Sequence, residues 1–204
     1  MFCSAQTENY LNLSTLYRLV LSKFKNFTDR LLSPLGRFFI KLGFVPNVLT
    51  TLSLIFALIC SFAFYIGDYI VAGLLIIVVG FFDVFDGITA RANRMETRFG
   101  GFYDAVSDRY TEILILFFAS YYINDFLIGF IAITGSLTVS YVRAKAEKEG
   151  MACSIGFAER AERLTILAIC SFFDLVFYGL LIIAILSHLT AIHRFLYVYK
   201  KYHE

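Results

Sequence analysis

Four aspartates lie close together in a sequence that is otherwise strongly apolar. The stretch 82–108 contains Asp83, Asp86, Asp104 and Asp108. The first two follow a long hydrophobic run, and the last two begin another. A carboxylate beside or inside a lipid bilayer is unfavourable, so residues of this kind are usually functional. We therefore interpret the four aspartates as one functional group.

Their spacing predicts a metal site. Asp83 and Asp86 are three residues apart, and Asp104 and Asp108 are four apart, so each pair shares one face of a helix. If the two helices pack side by side, the four carboxylates converge, and they repel one another unless cations are present. Divalent cations with oxygen ligands fit this group, and Mg²⁺ or Mn²⁺ suits phosphate chemistry. We expect two such ions.

The residues around the aspartates support a ligand site, although a structural interpretation also exists. Gly87 and Ala90 leave the helix surface bare beside the acids, so a flat ligand could approach closely. In the structural interpretation the acids form ion pairs with neighbouring arginines, but four acids exceed what such pairs need. These arginines are Arg91, Arg94, Arg98 and Arg109. One helical turn beyond the aspartates, the spacing predicts a structural Arg109–Glu112 pair.

Composition indicates an integral membrane protein. The chain has 204 residues, of which 59% are hydrophobic, and its mean hydropathy is +0.72. A soluble domain is closer to about 45–50% apolar. The 23 Phe and 13 Tyr residues can serve as interfacial anchors in a chain without Trp. Four cysteines form no CxxC pair, which favours unreactive thiols over a metal or redox site.

The elements that position the aspartates are predicted to be membrane helices, so the fold class is all-α integral membrane. Residues 11–43 have the pattern of a basic amphipathic helix lying on the membrane surface; a soluble helix packed on a partner is the alternative. Six transmembrane helices follow this N-terminal amphipathic surface helix. We therefore divide the chain into a juxtamembrane segment, 1–45, and a six-helix transmembrane domain, 46–204. The predicted spans are 47–66, 69 into the aspartate stretch, 101–123, 126–144, 157 to a turn near 174, and from there to about 200.

The distribution of charge predicts the orientation. All 18 Lys and Arg residues fall in the regions 1–46, 83–109, 143–163 and 194–204. The turns at the opposite ends of the spans carry only acids, namely Asp68, Asp125 and Asp174. By the positive-inside rule, both termini and the aspartates face the cytoplasm of a multi-pass protein in the cell membrane.

The aspartates are part of a longer motif. From Asp83 the sequence reads D-x-x-D-G-x-x-A-R, then eight residues, then G-x-x-x-D-x-x-x-D, ending at Asp108. This pattern resembles the complete signature of the CDP-alcohol phosphatidyltransferase family. The resemblance implies an enzyme that transfers a substituted phosphate from a CDP-alcohol to an acceptor hydroxyl and releases CMP. It also implies a homodimer, membrane lipids as surroundings and no nucleic-acid partner.

The resemblance also implies roles for individual residues. Asp83, Asp86 and Asp104 would ligate the metals, and Asp108 would be a metal ligand, the catalytic general base or both. A base within hydrogen-bond reach helps because an alcohol is a weak nucleophile near neutral pH. The residues implied to bind the CDP-alcohol are Asn47, Thr50, Asp86, Gly87, Ala90, Arg91 and Thr97.

Two basic clusters and one further arginine follow the signature on the same predicted side of the membrane. The segments S-Y-V-R-A-K-A-E and G-F-A-E-R-A-E-R-L, within 140–164, are similar to those of phosphatidylinositol-phosphate and archaetidylinositol-phosphate synthases. This similarity implies inositol 1-phosphate as acceptor and CDP-diacylglycerol or CDP-archaeol as donor. Ordinary positive-inside anchoring is the alternative for any single residue. The residues implied to bind the acceptor phosphate are Arg143, Lys145, Arg160, Arg163 and Arg194.

Three other functions are compatible with parts of the sequence. Glycerol 3-phosphate is also a phosphorylated acceptor, and a soluble CDP-inositol donor would give di-inositol phosphate. An ion or proton transporter could use intramembrane acids as well. A transporter needs polar groups along a path through both leaflets, whereas these acids cluster at one side.

Overall fold

A computed structural model of the chain describes residues 40, 45–153, 155–156 and 158–203. Those residues form six α-helices and no strand. The predicted amphipathic surface helix, 11–43, lies outside the described residues except for Ile40. The helices are α1 Pro46–Tyr65, α2 Tyr69–Ala92, α3 Arg98–Tyr122, α4 Phe126–Lys148, α5 Arg160–Phe172 and α6 Val176–Tyr202.

Four of these helices, α1, α2, α4 and α6, are long and apolar enough to cross a membrane. Helix α5 has only 13 residues, and a span needs about 20. Helix α3 has 25 residues, but Asp108, Arg109 and Glu112 interrupt its apolar part. The all-helical fold is therefore confirmed, with four candidate membrane spans, whereas six transmembrane helices remain a prediction.

The helix starts follow from local sequence. Pro46 occupies the first turn of α1, where its missing N–H has no cost. The side chains of Asp68 and Asp125 accept hydrogen bonds from backbone N–H groups at the starts of α2 and α4, both at 3.1 Å. Thr97 does the same for the N–H of Gly100 in α3, at 2.9 Å. Each cap satisfies an N–H group that the first helical turn leaves without a partner.

The helices are arranged as a closed ring in the order α1, α2, α5, α6, α4, α3. Helix α1 packs against both α2 and α3, which carry the aspartates. Along the described chain, helices α2 and α3 make at most slight direct contact with each other. This topology leaves room between the end of α2 and the start of α3.

The core of the ring is apolar and closely packed. Small residues such as Ala57, Ala72 and Ala132 are fully buried beside larger ones such as Phe64 and Leu180. Large apolar side chains also cover the outside of the helices. Such a continuous apolar exterior is expected for a surface that faces lipid.

Candidate active site

The aspartates converge at one end of the ring. Asp83 and Asp86 lie near the end of α2, and Asp104 and Asp108 lie near the start of α3. One carboxylate oxygen each from Asp83, Asp104 and Asp108 lies within 4.8 Å of the other two. Asp86 is outside this group of three. Its Oδ2 accepts a hydrogen bond of 2.7 Å from Thr50 Oγ1 on α1.

A cavity of about 300 Å³ opens between the end of α2 and the start of α3. It exists because both helices pack against α1 rather than against each other. Asp86 and Asp104 line it, so the cavity leads directly to the aspartate group. All seven residues predicted to bind the CDP-alcohol line this cavity, namely Asn47, Thr50, Asp86, Gly87, Ala90, Arg91 and Thr97.

Two glycines keep the wall of the cavity thin. A Cβ atom at Gly87 would lie 3.0 Å from Arg91 Nη1, which folds back over this position. A Cβ atom at Gly100 would lie 2.9 Å from Thr97 Oγ1 and 3.2 Å from Asn47 Oδ1. Any side chain at either position would therefore displace a polar group of the wall.

Four further residues that the sequence did not predict line the cavity. They are Pro46, Met95, Glu96 and Gly101. Pro46 adjoins Asn47, and the others lie between or beside the fixed positions of the signature. The loop that joins α2 to α3 thus forms part of the wall, which its position between the two halves of the motif could have indicated.

Arg160, the first residue of α5, reaches into the aspartate group. Its Nη1 lies 2.5 Å from Asp83 Oδ1 and 2.8 Å from Asp108 Oδ1. Arg109 Nη1 lies 3.5 Å from the other oxygen of Asp108. Two guanidinium groups therefore offset part of the negative charge around Asp108.

The aspartate group fits divalent metal ions. Asp104 Oδ1 is buried and has no hydrogen-bond partner among the described residues. A buried carboxylate oxygen without a partner is unfavourable, and a bound cation would remove that cost. The three converging groups offer only carboxylate oxygens, which are the ligands that Mg²⁺ and Mn²⁺ prefer.

Two of the predicted acceptor residues meet at one carboxylate. Arg143 Nη1 lies 3.4 Å from Glu159 Oε2, and Arg194 Nη2 donates to Glu159 Oε1 at 2.5 Å. Arg194 also donates to the backbone oxygens of Ile155 and Val139, at 2.6 and 2.9 Å. Glu159 directly precedes Arg160, so this cluster adjoins the aspartate group.

Lys145 lies away from this cluster. Arg143 and Lys145 are two residues apart on α4, so their side chains point to different faces of the helix. Lys145 Nζ pairs with Glu149 Oε1 at 3.1 Å on an exposed face.

Arg163 is engaged by a different acid. Its Nε and Nη2 donate to the two carboxylate oxygens of Glu112, at 2.7 and 2.9 Å. The predicted Arg109–Glu112 pair is therefore wrong: Arg109 turns towards Asp108, and Glu112 is paired across the ring. The spacing within α3 permitted the predicted pair, but α5 supplies a better-oriented partner.

Comparison with known proteins gives the same assignment as the motif. The sequence model of the CDP-alcohol phosphatidyltransferase family matches residues 43–195. The chain is 38% identical over 177 residues to an archaetidylinositol phosphate synthase from Pyrococcus horikoshii, covering 86% of this chain and 94% of that protein. It is 31% identical over 189 residues to the synthase of the same name from Methanothermobacter thermautotrophicus, covering 89% and 95%.

The fold is similar to that of a solved enzyme. Phosphatidylinositol phosphate synthase from Mycobacterium tuberculosis, in complex with manganese and citrate, superposes with a TM-score of 0.74 and 26% identity, over 82% of this chain and 88% of that one. The same enzyme with CDP-DAG bound superposes with a TM-score of 0.73 and 26% identity, over 83% and 94%. Motif, site geometry, sequence and fold agree, and the chain belongs to the CDP-alcohol phosphatidyltransferase family.

Proposed function

We propose that this transferase moves a phosphatidyl-type group from a CDP-lipid to inositol 1-phosphate and releases CMP. The donor is CDP-diacylglycerol or CDP-archaeol. The observation that carries the proposal is made at the start of α5. Arg160 contacts Asp83 and Asp108, and Glu159, directly before it in the sequence, binds Arg143 and Arg194. An acceptor phosphate held by these cations would lie next to the reacting groups. Two archaeal relatives are named for archaetidylinositol phosphate synthesis, which supports this acceptor.

The cavity between α2 and α3 is the proposed site of the CDP group. The absence of side chains at Gly87 and Gly100 lets the nucleotide approach the backbone of both helices. Arg91 lies over Gly87, where its guanidinium group can reach a diphosphate. Asp86 and Asp104 form the end of the cavity that adjoins the metal site.

Asp83, Asp104 and Asp108 are the proposed ligands of the metal ions, with Asp86 as a further ligand from the cavity side. Two divalent ions, Mg²⁺ or Mn²⁺, would neutralise the diphosphate and stabilise the negative charge on the departing CMP. A related enzyme has been solved with manganese, which supports this choice of metal.

In the proposed reaction, Asp108 accepts the proton from the attacking hydroxyl group of inositol 1-phosphate. The hydroxyl oxygen forms a bond to the β-phosphorus, which carries the lipid. The bond between this phosphorus and the bridging oxygen breaks, and its electron pair leaves with CMP. Asp108 is suited to this role because Arg160 and Arg109 flank its two oxygens and hold the carboxylate in place.

The acceptor phosphate is assigned to Arg143, Arg160 and Arg194. Lys145 and Arg163 have weaker support, because Lys145 is paired with Glu149 on an exposed face and Arg163 is paired with Glu112, away from the Glu159 cluster. Arg194 is as buried as Arg163, but it shares Glu159 with Arg143 beside Arg160.

The proposal includes a six-span topology with the active site on the cytoplasmic side. Single cysteines at Ile66, Lys148 and His203, which are exposed, test it when placed in a cysteine-free background in sealed vesicles. We expect a membrane-impermeant thiol reagent to reach position 66 from the outside and positions 148 and 203 from the cytoplasmic side. Position 148 on the outside would contradict a membrane-spanning α3, and position 203 on the outside would contradict a membrane-spanning α5. Cross-linking in the membrane tests the predicted homodimer.

CMP release measured across a panel of acceptors tests the function. Purified protein with Mg²⁺ or Mn²⁺ and a CDP-lipid is given inositol 1-phosphate, inositol, glycerol 3-phosphate or serine. We expect the highest kcat/KM with inositol 1-phosphate. A higher value with glycerol 3-phosphate would exclude the proposed acceptor while leaving the transferase activity in place. CMP release from CDP-inositol and inositol 1-phosphate, with none from a CDP-lipid, would instead identify a soluble donor.

A further inference from the structure

Two ion pairs join α3 to α5 one helical turn apart. Asp108 pairs with Arg160, and Glu112 pairs with Arg163. Glu112 follows Asp108 by four residues, and Arg163 follows Arg160 by three, so each helix uses a single face. Helices α3 and α5 are not neighbours in the ring that the described residues form. Long side chains rather than direct helix packing therefore connect them.

The inner pair, Glu112 and Arg163, is buried and has a fixed geometry. Arg163 is 1% exposed and Glu112 is 2% exposed. The guanidinium group bonds to both carboxylate oxygens, at 2.7 and 2.9 Å, and its Nη1 donates to the backbone oxygen of Ala158. A bidentate arginine–carboxylate contact fixes direction as well as distance. Because Ala158 lies just before α5, Arg163 fixes both the helix and the chain that leads into it.

The outer pair, Asp108 and Arg160, is held by fewer contacts. Arg160 reaches Asp83 and Asp108 through Nη1 alone. Its Nε and Nη2 are buried and have no hydrogen-bond partner in the described part of the chain. The position of Arg160 therefore depends on where the start of α5 is held.

We propose that Glu112 and Arg163 are positioning residues, which hold the first turn of α5 so that Arg160 stays beside Asp83 and Asp108. This inference deepens the proposed function and rests on it, since Arg160 is there assigned to the acceptor phosphate. A buried ion pair adds little net stability compared with apolar residues of similar size, because both charges lose their hydration. An apolar pair would not reproduce the fixed orientation that the ion pair gives to the two helices.

The test removes both charges together. Loss of one partner would leave a buried charge and risk unfolding, whereas an apolar pair of similar volume is usually tolerated. We therefore choose the double variant Glu112→Leu/Arg163→Met, the single variant Arg160→Ala, and the triple variant that combines them. Leu180→Ala, in the buried core of α6, is the control for a general loss of packing.

The first measurement is steady-state kinetics. We expect the double variant to raise the KM for inositol 1-phosphate about tenfold and to change the KM for CDP-lipid by less than about threefold. The triple variant should be no worse than Arg160→Ala, because the pair acts through Arg160. Leu180→Ala should lower the Tm without changing the ratio of the two KM values. If the triple variant raises the KM for inositol 1-phosphate by the product of the factors found for the double variant and for Arg160→Ala, the proposal is overturned.

The second measurement is the Mn²⁺ dissociation constant, which does not depend on the acceptor. Arg160 competes with a metal ion for Asp83 and Asp108, so Arg160→Ala should tighten Mn²⁺ binding about threefold to tenfold. The double variant should also tighten it, and the triple variant should add nothing further. If the wild type does not use inositol 1-phosphate but this coupling is found, the acceptor is wrong and the positioning role stands. If the double variant and Arg160→Ala change Mn²⁺ binding independently of each other, so that their effects add in the triple variant, the positioning role itself is refuted.

Discussion

The proposed donor and acceptor sides of the site satisfy their charges in opposite ways. On the donor side, Asp86 and Asp104 line an open cavity, and Asp104 Oδ1 has no hydrogen-bond partner among the described residues. On the acceptor side, Arg143 and Arg194 already share the carboxylate of Glu159. In the proposed function, the donor side receives cations and a nucleotide, whereas the acceptor phosphate has to compete with an internal anion. Substitutions on the two sides should differ in which kinetic constant they change.

The largest effect is expected from Asp108→Asn, which removes the proposed base where the two halves meet. CMP release should fall by about 10²–10⁴-fold, because an amide cannot accept the hydroxyl proton. Asp125→Asn is the matched control, since Asn also caps a helix and Asp125 begins α4. Equal losses in both variants, measured as kcat at saturating substrates, would contradict the role of Asp108.

Arg160→Ala should separate the acceptor side from the donor side. Loss of a charged hydrogen-bond partner of the phosphate costs about 1.5–3 kcal/mol, which is roughly a 10- to 150-fold rise in the KM for inositol 1-phosphate. The KM for CDP-lipid should change little. Lys145→Ala is the control, because Lys145 pairs with Glu149 on an exposed face. A similar rise in both variants would mean that general positive charge, rather than Arg160, attracts the acceptor.

Gly87→Ala should have the complementary effect on the donor side. The added Cβ would lie 3.0 Å from Arg91 Nη1 and displace this group from the cavity wall. We expect a loss of about 1 kcal/mol, or roughly a fivefold rise in the KM for CDP-lipid, with the acceptor KM unchanged. Gly80→Ala, on the same helix with open space around its Cβ, is the control. Alanine favours a helix over glycine at both positions, so a difference in the KM for CDP-lipid between the two variants reports on the site.

The convergence of the aspartates and the lining of the adjoining cavity could be predicted because the necessary information is local. The aspartates and glycines lie at fixed spacings within two helices, and helical periodicity determines which of them share a face. The predicted helix limits were close for the same reason: α1 and α4 begin within a residue of the predicted positions, at Pro46 and Phe126. The main difference is α5, which begins at Arg160 rather than near residue 157.

The partners of the basic residues in α4, α5 and α6 could not be predicted, because their contacts join distant parts of the chain. Glu112 is 51 residues from Arg163 and only three from Arg109, yet it pairs with Arg163. Helical spacing shows which pairs can form within one helix, but it does not show which helices are brought together. The ring order, in which α2 is followed by α5, is a tertiary property without a local signal.

The smallest expected effect tests the competition at Glu159. Glu159→Gln keeps the shape and one acceptor oxygen, but it removes the negative charge that Arg143 and Arg194 share. If an acceptor phosphate displaces this carboxylate, the variant should bind the acceptor more tightly. Glu159 is half exposed, so the gain is at most about 1 kcal/mol, or roughly a twofold to fivefold fall in the KM for inositol 1-phosphate. Glu149→Gln, which changes only the exposed pair with Lys145, should leave this KM unaltered. A rise in KM for Glu159→Gln would instead show that the carboxylate orients the two arginines for the phosphate, and the acceptor side would then be as preformed as the donor side.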